Sequence, residues 1–463
     1  MRRSARVAAA ADARASALPQ LPVSLAARVF RFLPVDEKAR AALVCRGWRA
    51  FLADAALWTE LDLSPTGGVA DERITDVLLR GAAAMARGQL QRLDLGSEFG
   101  GTPHVTQVAL LEVVVANAAS LRELRLVVRR IPDAHASGLP NLEALARAAP
   151  LLRILEAGII CSWQDAPQLM RADQPLTALK LRDLSVTHYG GVQNNDLGGL
   201  ERVSAFAAAL ADTALQPTLS RVAIAVADIQ LPEVLNVLVD ALLPRPLREL
   251  GFFGCTPPAP VPLARLLRGS ALISLNFSGS MGRLFDAGGA ALVAEALRSS
   301  TTLEELMLGT SRLCDDVPAA CLVLRALVGH PRLRQLHMYE ETPNDGAAVG
   351  AALAALVTAD SPALKRLIVP SVRLTGAGLT PIMDALPHNQ HLRALDISNT
   401  GASEAFSRDR LLPAVRINTS LRALLCGDYN RPMFRAEAEA QQLVRSRPPH
   451  TDEPGYHGPP YGT

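Results

Sequence analysis

A six-residue pattern, L-x-x-L-x-L with aliphatic substitutions, recurs through most of this 463-residue sequence. It appears as LQRLDL from Leu90, LRELRL from Leu121, LRILEA from Leu152, LTALKL from Leu176 and LSRVAI from Leu219. It continues as LRELGF from Leu247, LISLNF from Leu272, LEELML from Leu303, LRQLHM from Leu333, LKRLIV from Leu364, LRALDI from Leu392 and LRALLC from Leu421, and WTELDL from Trp58 opens the series. Successive starts lie 24 to 43 residues apart, most of them 28 to 32. A fixed period of this size marks a repeat architecture, and it sets the order in which the rest of the sequence is read.

Each unit carries two periods. The last two leucines of the hexapeptide alternate with polar residues, so a short strand puts them on one face. Between hexapeptides the period becomes helical: GGAALVAEALRSS (Gly288–Ser300) and GAAVGAALAALVTAD (Gly346–Asp360) space Ala, Leu and Val three and four residues apart. Asp286-Ala287-Gly288 and Asn344-Asp345-Gly346 supply turn and cap chemistry at the helix starts. One strand and one helix cannot bury such a face alone, so each unit needs its neighbours. Hydrophobic residues make up 49% of the chain but aromatic ones only 4%, so the core must be Leu, Ala and Val.

The pattern resembles the leucine-rich-repeat family, nearest to the long-repeat subtype of ribonuclease-inhibitor-like proteins. The resemblance covers roughly residues 58–430, about 12–13 units, and implies an α/β horseshoe with parallel strands on the concave face and helices on the convex face. The asparagine expected after each strand is mostly replaced, by NFSGS, MLGTS and HMYEE for example, which puts the usual polar ladder in doubt. The 43-residue interval after Leu176 holds an insertion, Thr187–Gly199, that reads as a mobile loop or as a recognition loop.

Residues 18–57 carry a different signal. Pro22 suits a first helical turn, and Leu25, Val29 and Leu33 fall at i, i+4 and i+8 on one stripe. Leu43, Val44, Cys45 and Trp48 form a second stripe beyond Pro34. Some forty residues in three helices cannot bury both, so the surplus calls for a partner helix. The spacing of Leu21-Pro22, Leu25, Val29-Phe30, Leu33-Pro34, Leu43-Val44-Cys45, Trp48-Arg49 and Leu57-Trp58 resembles the F-box. Ser24 and Lys38 depart from it, standing where an acidic residue and a leucine are common. The resemblance implies docking onto a Skp-type adaptor, and through it a cullin, by Leu21, Pro22, Leu25, Val29, Phe30, Leu33, Leu43, Val44 and Trp48. Leu57-Trp58 read better as a cap on the first repeat. Cys45 reads as a packed thiol, with no histidine near it in sequence to make it a nucleophile.

The strand residues that flank the leucines fall on the opposite, concave face. They include Arg125, Lys180, Arg182, Phe253, Asn276, Met307, His337, Tyr339 and Asp396, a basic start followed by a largely uncharged middle. As a set they are candidate contacts to a target protein; singly, each reads as ordinary solvated surface.

Other functions find little support. Lys+Arg 47 against Asp+Glu 45 leaves a net charge of +2, so no global field favours nucleic acid. No run approaches the ~18 apolar residues of a membrane helix. The six cysteines form no C-x-x-C and read as free thiols of a reducing compartment, cytoplasmic or nuclear. No phosphate loop, H-E-x-x-H or G-x-S-x-G occurs, and His388 with His391 reads as a loop pair, not as metal ligands. No cofactor, metal or catalytic set is expected. Residues 1–17 have a transit-peptide-like composition but read as a disordered lead, and 431–463 as a capping helix and disordered tail. The expected function is substrate recognition in an SCF-type ubiquitin ligase. The alternative is a leucine-rich-repeat scaffold, or a GTPase-regulator-like protein, whose N-terminal helices only cap the array.

Overall fold

A computed structural model describes residues 30, 33, 35–63, 75–96, 105–127, 142–157, 170, 176–181, 198–225, 232–253, 259–277, 285–309, 313–339, 346–428 and 431–448. The chain divides into two compact units, Met1–Arg182 and Asp183–Thr463.

The first unit opens with α1 (Val35–Val44) and α2 (Arg46–Leu52), then a 3-10 turn over Ala55–Trp58. Parallel strands follow in sequence order: β1 (Glu60–Asp62), β2 (Arg92–Gly96), β3 (Glu123–Val127), β4 (Ile154–Ala157) and β5 (Ala178–Leu181). Helices α3 (Asp76–Met85), α4 (Gln107–Ala116) and α5 (Leu142–Ala148) stand between β1 and β4. The register aligns Leu61, Leu93, Leu124, Leu155 and Leu179, all fully buried. That column is the fourth position of each hexapeptide, and its burial contributes to the apolar core of every unit.

The second unit repeats the plan. Its helices α6 (Gly198–Ala211), α7 (Pro232–Leu242), α8 (Pro260–Gly269), α9 (Ala287–Ser299), α10 (Val317–Ala326), α11 (Gly346–Thr358) and α12 (Thr375–Ala385) alternate with parallel strands. The strands are β6 (Arg221–Ala225), β7 (Glu249–Phe253), β8 (Ser274–Asn276), β9 (Glu305–Gly309), β10 (Gln335–Tyr339), β11 (Arg366–Ile368), β12 (Ala394–Asp396) and β13 (Ala423–Leu425). Between β12 and β13 stand the short helices α13 (Glu404–Phe406) and α14 (Leu412–Ile417). The fold class is therefore α/β, a stack of strand-and-helix repeats.

Helix starts follow the cap chemistry read from the sequence. Asp286 Oδ1 accepts the Gly289 N–H at 2.7 Å before α9, while Asn344 and Asp345 lie outside the described residues. Thr75 and Thr106 cap α3 and α4, and the Asp76 carboxylate also accepts from Thr106 at 2.7 and 2.8 Å, tying one repeat to the next. The insertion at Thr187–Gly199 reaches the described residues only at its last two positions, where α6 begins.

The polar ladder exists, but at the other end of the strand. In the turns entering β10 to β13, His330, Ser361, Asn389 and Asn418 recur at one position. Asn389 Oδ1 accepts from the N–H groups of His391 (3.1 Å) and Leu392 (2.7 Å), and Nδ2 donates to the Val357 carbonyl (2.8 Å). Asn418 does the same for Ser420 and Leu421, and its Nδ2 reaches back to the Asn389 carbonyl at 2.9 Å. Buried turns of this kind need such partners because their main-chain groups have no helix or strand to satisfy them.

The last helix, α15 (Arg435–Arg445), lies over α14 and β13 and buries Ala436, Ala440 and Val444. Its fully buried Glu437 accepts from Arg431 (2.8 Å), the Ser407 hydroxyl (3.2 Å) and the Phe434 N–H (2.9 Å).

Candidate docking surfaces

Of the residues expected to meet an adaptor, Leu21, Pro22, Leu25 and Val29 lie outside the described residues. Phe30 is buried, edge-on to Trp48 with centroids 5.2 Å apart and tilted against Phe51 at 5.3 Å. Leu33 and Trp48 are half-buried. Leu43 and Val44, at the end of α1, face solvent at 76% and 61% exposure.

The expected single stripe from Leu43 to Trp48 is corrected by a break at Cys45. This residue is extended (φ −156°, ψ 166°), and its Sγ accepts the Trp48 N–H at 3.4 Å as the cap of α2. The break turns Trp48 inward onto Phe30 and leaves Leu43 and Val44 outside. Two adjacent large aliphatic side chains at that exposure are poor solvent residues.

Lys38, which stands where a leucine was expected, is buried at 3% exposure. Its ammonium donates to the Leu57 carbonyl at 3.1 Å and sits 5.4 Å from the Trp58 ring centroid. Trp58 Nε1 donates to the Leu52 carbonyl at 2.7 Å, and the 3-10 turn that carries it packs on α3. Leu57 and Trp58 are thus core between the N-terminal helices and the first repeat.

Residues 18–64 match the F-box-like family model. This F-box-like segment holds α1, α2 and β1, and hence the exposed Leu43–Val44 pair. Among solved structures, the chain is similar to the leucine-rich repeat-containing protein LegL7 from Legionella pneumophila, at 12% identity. That match covers 72% of this chain and 93% of that chain, with a TM-score of 0.38. No curated protein matches the chain. The chain joins an F-box-like segment to a stack of strand-and-helix repeats.

On the sheet face opposite the leucines, the first unit differs from the basic start expected of it. Register lines up Asp62, Asp94, Arg125, Glu156 and Lys180, with Glu60, Arg92 and Glu123 one pleat away. Arg125 lies within ion-pair distance of Glu123 (2.8 Å), Glu156 (3.5 Å) and Asp94 (3.7 Å), and Arg92 of Asp94 (3.2 Å). Burial, then the charge of Asp62, pushes the Asp94 carboxyl up to about 6 while the two arginines pull it down. From the sequence Arg125 reads as one of the concave-face candidates, with no sign of its pairing to Asp94 and Glu156 in its own hexapeptide. The signal was present: D and E fall at the same hexapeptide position as that arginine. Arg182 and the side chain of Lys180 lie outside the described residues.

In the second unit the same column reads Ala223, Gly251, Asn276, Met307, His337, Ile368, Asp396 and Leu425. Asn276 and Met307 are half-buried and joined by an Nδ2 to Sδ contact of 3.2 Å; Tyr339 is also half-buried. His337 and Asp396 are not open contacts, at 4% and 6% exposure. Burial holds the His337 imidazole below its usual range and lifts the Asp396 carboxyl, against the pull of its bonds from Ser398 at 2.6 and 2.9 Å. The Phe253 side chain is outside the described residues. The half-exposed Asn276, Met307 and Tyr339 are what this face offers of the set read from the sequence.

Among the described residues no three His, Cys, Asp or Glu side chains gather as a metal-holding group. His391 pairs with Asp360 at 3.0 Å, not with His388. No helix among them is long and apolar enough to cross a membrane.

Proposed function

We propose that this chain is the substrate-recognition subunit of an SCF-type cullin ubiquitin ligase, and is not itself catalytic. The F-box-like segment docks a Skp-type adaptor and through it a cullin, and the repeats hold a target protein. The observation that carries the reading is the Leu43–Val44 pair, exposed at 76% and 61% on the segment whose family pattern implies adaptor docking. Helix-in-groove recognition uses aliphatic anchors of this kind.

The repeats then act by position. Tethering a target beside a charged conjugating enzyme raises the local concentration of its lysine at the thioester without any group on this chain entering the reaction. On the face opposite the leucines, Asn276, Met307 and Tyr339 are the contacts proposed for that target. Cytoplasmic or nuclear placement follows from this role.

Co-purification from cells with a Skp-type adaptor and a cullin tests the proposal, with wild type and Leu25→Asp side by side. Adaptor and cullin recovered with wild type and lost with the variant are expected. Failure of the wild type to recover the adaptor overturns it.

A further inference from the structure

Helix α11 carries no charged residue. Its neighbours do, with Arg325 on α10 and Asp384 on α12 both exposed. On α11, Ala347, Ala351 and Ala355 fall at i, i+4 and i+8, on the side away from the core. A helix on a protein surface presents polar or charged residues there, whereas this one presents alanine.

The surface beside it is hollow. α11 and α12 meet backbone to backbone at Gly350 and Gly378, near their N-terminal ends. Toward their C-terminal ends a groove of about 700 Å³ opens, lined by Val328, Ala351, Ala355, Pro381 and Ala385 among others. Asp384 is its one carboxylate among the described residues. That carboxylate pairs with Arg410 at 3.2 Å, but both side chains are more than half exposed, so the pair is weak. A carboxylate also has acceptor sites for a second cation.

The complement to this groove stands on the other side of α11. Leu322 on α10 is exposed at 38%, and Arg325 follows it on the same stripe. Arg325 pairs with no carboxylate among the described residues. α10 and α12 both pack on α11, so they flank it at similar distances, about 10 Å. Their residues are level too. Leu322 and Pro381 stand five and six residues beyond the first residues of their helices, Val317 and Thr375, and Arg325 and Asp384 eight and nine. A two-fold axis running along α11 therefore carries α10 of one copy over α12 of the other. Leu322 then faces the groove, Arg325 faces Asp384, and the alanines of α11 meet their own counterparts with no like charges opposed.

We propose that the chain forms a two-fold dimer through this face of its second unit. Each groove takes Leu322 of the other copy, and the Arg325–Asp384 pair, made twice, fixes the register. The small side chains of α11 let the two helices approach closely, and the second copy removes an apolar face from water. Such an isologous contact closes on itself and recruits no further copies. Dimerisation through this face is independent of adaptor docking.

Sedimentation velocity of the full chain at rising concentration tests this. A shift from one chain mass to two is expected, nearly complete by about 100 μM for an interface of micromolar affinity. Ala351→Arg puts two cations on the axis and is expected to leave a monomer that melts as the wild type does. Arg325→Asp and Asp384→Arg are each expected to weaken association about tenfold or more, and the chain carrying both to recover it. The double variant restores only the pairing, so rescue separates a lost contact from a lost fold. Wild type that stays monomeric throughout overturns the dimer. Association unchanged by Ala351→Arg overturns the face, and single variants that the double variant does not rescue overturn the register.

Discussion

The ring of His330 accepts the main-chain N–H of Leu333 on Nδ1 at 3.0 Å, and that of Arg332 at 3.3 Å. Asn389 and Asn418 do the same for the next turns with an amide oxygen. Histidine can stand in an asparagine ladder only while it is neutral, since the imidazolium has no acceptor. Burial holds its pKa below the usual value, and the carbonyls of Ser300 and Leu297 only partly oppose this.

A pH dependence follows. The folded pKa lies below the unfolded one of about 6.5, so the unfolded chain takes up the proton first. The stability contributed is complete above the unfolded value and is lost as pH falls through it toward the folded one. His337, shifted in the same direction, adds to the loss. Thermal melts at neutral and mildly acidic pH should show the wild type falling more steeply than His330→Asn, with the two closest near neutrality. Equal slopes would remove His330 from the ladder.

Gly350 on α11 fixes how closely two repeats approach. A Cβ there would come within 2.1 Å of the Gly378 carbonyl oxygen on α12, and one on Gly378 within 2.2 Å of the Gly346 carbonyl oxygen. The neighbours are backbone, so the helices must part. Gly350→Ala is expected to cost about 3 kcal/mol despite the better helix propensity of alanine. Gly81→Ala on α3, where a Cβ meets nothing within 4 Å, should be neutral or stabilising in the same urea titration.

Arg245, 3% exposed, holds the turn after α6 together by donating to five carbonyls. Those of Gln216, Asp212, Leu215 and Ala209 lie at 3.0, 2.9, 2.9 and 3.4 Å, and the fifth belongs to Leu210. Burial lowers its pKa and the Asp212 charge opposes that. Replacement by Met leaves several buried acceptors bare, an expected loss of about 3 kcal/mol or more, and Lys recovers little because it lacks the planar fork. Hydrogen exchange should show the loss first in the amides of 212–225.

The alternation inside L-x-x-L-x-L and the change of period between copies were enough to read the parallel strands and the helices, because both patterns are local. What escaped was set by stacking. Asn389, Asn418 and His330 lie between helix and strand, outside the hexapeptide, and only the superposition of turns makes them a ladder. Two of the acids around Arg125, Asp94 and Glu156, are about 31 residues away in sequence but one rung away in space, and only the third, Glu123, is a sequence neighbour. In the N-terminal segment the apolar positions were legible. The break at Cys45 was not, because a thiol cap has no distinctive spacing.

The most direct test of adaptor docking uses the two exposed residues. Leu43→Asp/Val44→Asp removes no buried contact, so full-length variant and wild type should melt within about a degree of each other, as expected of surface substitutions. Both are then assayed for recovery of a Skp-type adaptor from cells. The account predicts adaptor with the wild type and none with the folded double variant. Adaptor recovered equally with both would contradict it.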